Sequence, residues 1–148
     1  MKKKFAVLGD PVEHSWSPLI HNSFAKQFNF SLEYKKIKVT SGSLNSALTD
    51  LVANNYLGFN ITVPLKQEAF RLAMEKKWDI SSRALKAGAI NTLSLRKNFF
   101  FADNDSCVFT VHSEIMLKAT VLSNPEGNLG PELECAVHGG GGKITGRL

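Results

Sequence analysis

Residues 5–28 read FAVLGDPVEHSWSPLIHNSFAKQF, and the change of period within them decides the fold class. Phe5 to Leu8 form a short apolar run that stops at Gly9-Asp10-Pro11, the pattern of a buried strand closed by a turn. Ser17-Pro18 then supply a helix start, because a serine hydroxyl can cap and proline at the first helical position gives up no needed N–H. Ile20, Phe24 and Phe28 follow at i, i+4 and i+8, which predicts one buried helical face.

The same alternation continues along the chain. Glu33 to Val39 reads as a second strand, and Leu44, Ala47, Leu48, Leu51 and Val52 have the spacing of an amphipathic helix. Gly58 to Val63 reads as a third strand, and Pro64 opens a helix expected to turn Phe70, Ala73 and Met74 inward. Ala89 to Leu95 and Phe99 to Phe101 suggest a hairpin across Arg96-Lys97-Asn98. Strand and helix in this order predict an α/β fold.

Bulk composition narrows the function classes. A chain of 148 residues with 43% hydrophobic content can bury one ordinary core. No apolar run approaches the roughly 18 residues that span a bilayer, and Met1-Lys2-Lys3-Lys4 leads directly into the first strand, so a cytoplasmic protein without membrane attachment is expected. The net charge of +5 comes from scattered lysines, not from a basic block, so no nucleic-acid partner is expected. Residues 1–102 hold 15 Lys+Arg against 7 Asp+Glu, whereas residues 103–148 hold 3 against 6. Cys107 and Cys135 and seven of the eleven glycines fall in that second part. The two cysteines show no metal-ligand spacing, so no metal site is expected and both are read as reduced thiols.

Small polar residues collect at the strand ends. In open α/β sheets ligands bind at the carboxyl ends of strands, so Ser15 and Ser17, Asn60, Thr62 and Lys66, and Asn91 and Thr92 could converge on one crevice. For any one of them alone, satisfying a local backbone group is the simpler reading. Two serines, however, exceed what one helix start requires. Lys66 falls in the first turn of its helix, where the dipole disfavours a cation by several tenths of a kcal/mol. That field favours the neutral amine used in proton transfer, and Asp105 is the candidate partner that would orient it.

Three motifs carry a family resemblance. Gly9-Asp10-Pro11-Val12-Glu13-His14-Ser15-Trp16-Ser17-Pro18 with His21-Asn22, then Gly58-Phe59-Asn60-Ile61-Thr62-Val63-Pro64-Leu65-Lys66, then Gly88-Ala89-Ile90-Asn91-Thr92, resemble in order the signatures of the shikimate dehydrogenase family. The resemblance covers residues 1 to about 102 and implies a substrate-binding domain of α/β class, a three-layer open mixed sheet with helices on both faces. It implies NADP-dependent, reversible reduction of 3-dehydroshikimate to shikimate in aromatic amino-acid biosynthesis, with a small-molecule substrate as partner, and leaves a homodimer open. By motif position, Ser15, Ser17 and Thr62 would hold the substrate carboxylate. Asn91 and Asp105 would hold ring hydroxyls, and Lys66, with Asp105, would be catalytic, as acid or base on the reacting oxygen. Asn60 would shape the pocket, and His14, Trp16, His21 and Asn22 are read as scaffold.

The tail departs from the family pattern. The expected N-T-D-G-x-G stands here as Asn104-Asp105-Ser106-Cys107-Val108, without the threonine and glycines. Met116, Leu117, Val121 and Leu122 show partial helical spacing, interrupted by a loop at 124–128, and Leu133 to Val137 could be a strand. The run Gly139-Gly140-Gly141-Gly142-Lys143-Ile144-Thr145-Gly146 has the spacing of a cofactor loop, with Gly139, Gly141 and Gly142 as cofactor-binding candidates. A glycine loop without a following helix lacks the dipole that receives a pyrophosphate, so productive NADP binding is not expected and a plain glycine tail is preferred. The stretch also fails as a Walker A loop, since Ile144 follows the lysine. The alternative to a dehydrogenase is therefore a truncated, inactive relative that only binds shikimate-like carboxylates, with residues 103–148 a divergent remnant of a cofactor domain.

Overall fold

The computed structural model describes residues 2–27 and 29–104 with their side chains, and the backbone of 108–111, 115–123, 129–138 and 142–147. The chain divides into two compact units, residues 1–105 and 106–148. In the first, β1 (Lys3–Gly9), α1 (Ser17–Gln27), β2 (Leu32–Lys38), α2 (Leu44–Ala53), β3 (Tyr56–Ile61) and α3 (Lys66–Glu75) alternate as the sequence predicts. They are followed by β4 (Asp79–Ile80), α4 (Ser82–Ala87), β5 (Thr92–Arg96) and β6 (Phe99–Asp103).

The six strands form one mixed sheet in the order β2-β1-β3-β5-β6-β4. β1 is parallel to both β2 and β3, while β5 runs antiparallel to β3 and to β6. The β5–β6 hairpin turns through Lys97 and Asn98, with Lys97 at φ 52°. Residue parity separates the two faces. Ala6 and Leu8 of β1 join Phe59, Ile61 and Leu93 in a cluster that α2 and α3 cover with Leu44, Leu48, Ala69 and Ala73. Phe5 and Val7 have the opposite parity and share their face with Tyr34, the register partner of Phe5. α1 covers that second face, burying His21, Phe24 and Ala25. Helices on both faces make the sheet the middle of three layers, as expected.

Several local expectations are corrected. The buried stripe of α1 runs through His21, Phe24 and Ala25, with Ile20 only partly buried; Phe28 lies outside the described residues. Pro64 does not begin α3: the Val63–Pro64 peptide is cis, the chain turns there, and the helix starts at Lys66. Its buried side is Ala69, Leu72 and Ala73, whereas Met74, expected inward, is 53% exposed. α4, which no periodicity marked, is held by a cap. Ser81 Oγ accepts from Ala84 N at 3.1 Å, and Gly88 closes the helix at φ 60°, a left-handed conformation that suits glycine.

The second unit is a four-stranded antiparallel meander of β7 (Val108–Val111), β8 (Ile115–Ser123), β9 (Leu129–His138) and β10 (Gly142–Arg147), in the order β10-β9-β8-β7. The partial helical spacing of Met116 to Leu122 is overridden, since Met116 to Val121 pair along β9 and Leu122 falls at a shift of register within β8. Apolar residues in a short run fit strand and helix about equally, and pairing with a neighbour decides between them.

Candidate active site

Strand direction gathers the polar motifs at one end of the sheet. β1, β3 and β6 finish at the end where the antiparallel β5 begins. Ser15 and Ser17 follow β1, Thr62 follows β3, Asn91 precedes β5, and Asp103 ends β6. Backbone hydrogen bonds stitch these segments together. Ile61 N donates to Asn91 O at 2.8 Å, Asn91 N to Asp103 O at 3.0 Å, and Ile90 N to Lys66 O at 3.0 Å. Asn91 therefore lies between the end of β3 and the end of β6, beside the start of α3.

The serine pair is built at the entrance to α1. Ile20 N donates to Trp16 O at 3.1 Å, so the first helical turn starts from Trp16 and Ser17 is already helical. Ser15 takes over the capping part expected of Ser17: its Oγ accepts from Ser17 N at 3.3 Å. The same hydroxyl donates to Ser17 Oγ at 3.1 Å, so the two side chains touch. Both sit at the N-terminus of an eleven-residue helix, where N–H groups and dipole favour an anion. Trp16, read as scaffold, is 59% exposed; it enters the fold through its carbonyl. The loop before it is tied down by Glu13, whose Oε2 accepts from Val12 N, and by Lys36, which donates to Glu13 O. Backbone N–H donation to the Glu13 carboxylate lowers its pKa.

His21 stands one turn beyond Ser17, with its Nδ1 2.7 Å from Ser17 O. A carbonyl can only accept, so Nδ1 carries the proton. Burial pushes the His21 pKa down to about 4, against a smaller opposing effect of that hydrogen bond; the ring is neutral near pH 7. It stacks on Tyr34 at 4.5 Å between centroids and 8° between planes. Tyr34 Oη in turn donates to Asn60 Oδ1 at 2.7 Å.

Thr62 is brought in by a close approach that only glycine permits. A Cβ on Gly9 would lie 2.3 Å from Thr62 Cγ2 and 2.9 Å from Val63 O, far inside contact distance. Without it, Thr62 N donates to Leu8 O and Asp10 N to Val63 O. Lys66, half-buried, is the first residue of α3, as its expected place in the first turn requires. Among the described residues its ammonium has no partner. Thr92 Oγ1 donates to Asn91 Oδ1 at 2.9 Å, which orients that carboxamide.

Asp105 lies outside the described residues. The residue two before it is fully engaged: Asp103 is 3% exposed and accepts from Ser81 Oγ, Arg83 Nη2 and Asn104 N. Burial alone would raise its pKa, but those donors and the guanidinium charge together hold it below the usual carboxylate value. Sequence reasoning passed over this clamp. The signal was Ser81 three residues before Ala84, a cap pattern whose hydroxyl also reaches a carboxylate.

Of the glycine candidates, Gly139 and Gly141 lie outside the described residues, and Gly142 begins β10. β10 pairs antiparallel with β9, Gly142 opposite Val137. A dinucleotide loop needs a helix N-terminus at that point to receive the pyrophosphate, and a strand presents none. Gly142, the one described candidate, is therefore not followed by the helix N-terminus that a dinucleotide loop uses. Among the described residues, no group of three His, Cys, Asp or Glu side chains could hold a metal ion, and no helix is long and apolar enough to cross a membrane.

Comparison with known proteins places this arrangement. Residues 7–93 match the family model for the shikimate dehydrogenase substrate-binding domain. A shikimate dehydrogenase (NADP(+)) of Methylobacillus flagellatus is 38% identical over 144 residues, covering 90% of this chain and 52% of its own. One from Hydrogenovibrio crunogenus is 42% identical over 106 residues, 70% of this chain and 37% of its own. The crystal structure of shikimate 5-dehydrogenase from Thermus thermophilus in complex with shikimate superposes with a TM-score of 0.60 at 31% identity, over 69% of this chain and 38% of that one. The chain thus spans about half the length, or less, of these relatives. With the family model matched from strand β1 to strand β5 and relatives this close, the chain belongs to the shikimate dehydrogenase family.

Proposed function

We propose that residues 1–102 form the substrate-binding domain of a shikimate dehydrogenase, whose whole-enzyme reaction is the reversible, NADP-dependent reduction of 3-dehydroshikimate to shikimate. The observation that carries this reading is the convergence of the Ser15–Ser17 pair, Thr62, Lys66 and Asn91 on one end of the sheet. The helix N-terminus and touching hydroxyls suit a carboxylate, since charge-assisted hydrogen bonds are roughly twice as strong as neutral ones. Thr62 adds a third hydroxyl, and Asn91 and Asp105 bind ring hydroxyls. Lys66 holds or releases the proton on the reacting oxygen, the task of a lysine within hydrogen-bond reach of it. The shikimate-bound relative from Thermus thermophilus supports this choice of ligand.

A second reading, binding without turnover, is favoured by one observation: β10 stands where a cofactor site needs a helix. The two are separated by calorimetry and an assay on the same protein. Shikimate should bind, and Ser15→Ala or Ser17→Ala should weaken binding about ten-fold or more; a folded protein that binds no shikimate at millimolar concentration overturns the site. Oxidation of shikimate with NADP+ should be negligible. Turnover that disappears in Lys66→Ala would reject the binding-only reading and restore a working cofactor site.

A further inference from the structure

The His21–Tyr34–Asn60 chain crosses three elements and has no part in the chemistry assigned above. His21 is 8% exposed, Tyr34 5% and Asn60 8%. Its two ends are different motifs of the candidate site. At one end, His21 Nδ1–H grips the carbonyl of Ser17, the residue whose hydroxyl meets Ser15. At the other, Tyr34 Oη takes Asn60 Oδ1 and so settles which polar atom of that carboxamide is left to donate. Asn60 lies one residue before the last of β3 and two before Thr62.

Register explains how Tyr34 reaches so far. It pairs with Phe5 across β1, and Asn60 pairs with Val7 on the other side of the same strand. Phe5 and Val7 share one face, so Tyr34 and Asn60 do too, and the phenol spans β1 to meet the carboxamide. The ring stack transmits position because two flat rings at 4.5 Å resist sliding and tilting in a close-packed layer.

We propose that His21 and Tyr34 are positioning residues for substrate binding, a buried chain that fixes the serine pair on α1 relative to Asn60 on β3. The proposal rests on the reading of this site as the shikimate pocket. Helix α1 also packs on the sheet through non-directional apolar contacts, whereas the chain adds directional contacts that set one registration between two strand-end motifs. Fixing a site within about half an ångström is what such supporting contacts achieve.

The test uses the full chain, with calorimetric shikimate affinity as readout and thermal melting as the control for folding. Tyr34→Phe keeps the ring and removes the hydroxyl that donates to Asn60. It should weaken shikimate binding about ten-fold, an effect of one well-placed hydrogen bond, while the protein melts as a folded domain. In an Asn60→Ala background the same Tyr34→Phe change should cost nothing further, because its target is gone. A merely structural tyrosine would lower the melting temperature equally in both backgrounds and leave affinity unchanged, which would overturn the proposal. His21→Phe retains a ring for stacking and should likewise weaken binding; unchanged affinity there would overturn the part assigned to His21. Wild-type protein that fails to bind shikimate overturns the pocket reading and the proposal together, whereas binding that is insensitive to all three substitutions overturns the positioning chain alone.

Discussion

A neutral, buried histidine makes stability depend on pH in a window of its own. His21 has its pKa lowered from 6.5 to about 4 by burial, so between those values the unfolded chain binds a proton that the folded chain refuses. Stability from keeping the ring neutral is fully present above about 6.5 and is lost progressively as pH falls towards 4. The full effect is on the order of 3 kcal/mol. Urea unfolding at steps from pH 7.5 to 4.5 should show this decline, and His21→Gln should flatten it. An unchanged slope in that variant would mean that the titrating group lies elsewhere. Asp103 acts in a separate window, since its carboxylate is held below 3.8 and its stabilisation is lost only as pH falls through that lower value. The histidine itself was legible as part of a motif, but not its environment. Sequence spacing places His21 four residues after Ser17, whereas the stack on Tyr34 depends on a strand thirteen residues further on.

Elements formed where local pattern and tertiary packing agreed, and shifted where a distant partner intervened. β1, β2, α2 and the β5–β6 hairpin match their sequence signals within a residue or three, because apolar periodicity is itself the record of which face is buried. α3 starts late because Val63 and Pro64 are used in a turn. α2 is the clearest case of support from outside. Ser43 makes no side-chain cap. Instead, Glu68 of α3 accepts from Gly42 N at 2.9 Å and from Leu44 N at 3.2 Å, so one carboxylate satisfies two donors at the start of another helix. No local motif announces a cap supplied from 24 residues away. Glu68→Ala should therefore destabilise the domain by about 1–2 kcal/mol and speed hydrogen exchange at the Gly42 and Leu44 amides. Glu68→Gln keeps one acceptor oxygen and should fall between. If exchange at those two amides is unmoved, the cap is not what holds α2. The α2 cover on Leu8 and Phe59 matters to the site, because β1 and β3 carry the serine loop and Thr62 from their ends.

At the scale of the whole chain, the motifs at the strand ends and the glycine run were unequally legible in the sequence. The substrate side was readable because its motifs sit at strand ends, where topology rather than long-range packing determines what meets. Three separate stretches, 9–22, 58–66 and 88–92, needed only the β1, β3 and β5 directions to converge. The glycine run was not readable in that way, since its meaning comes from the element after it, and here that element is β10. Ligand linkage turns this asymmetry into a measurement. A ligand that binds only the folded state adds RT ln(1 + [L]/Kd) to stability, about 2.7 kcal/mol at a hundred-fold excess over Kd. Shikimate should therefore raise the melting temperature of the chain in proportion to the logarithm of its concentration. NADP+ over the same range should leave it unmoved, because the glycine run leads into a strand and offers the pyrophosphate no helix N-terminus. Ser15→Ala should lower the melting temperature of the unliganded protein by several degrees, because its hydroxyl caps α1, and should also shrink the shikimate shift measured from that lower baseline. A thermal shift with NADP+ as large as that with shikimate would show that residues 106–148 do build a nucleotide site. The strand after the glycines would then have to give way to a helix in the bound protein.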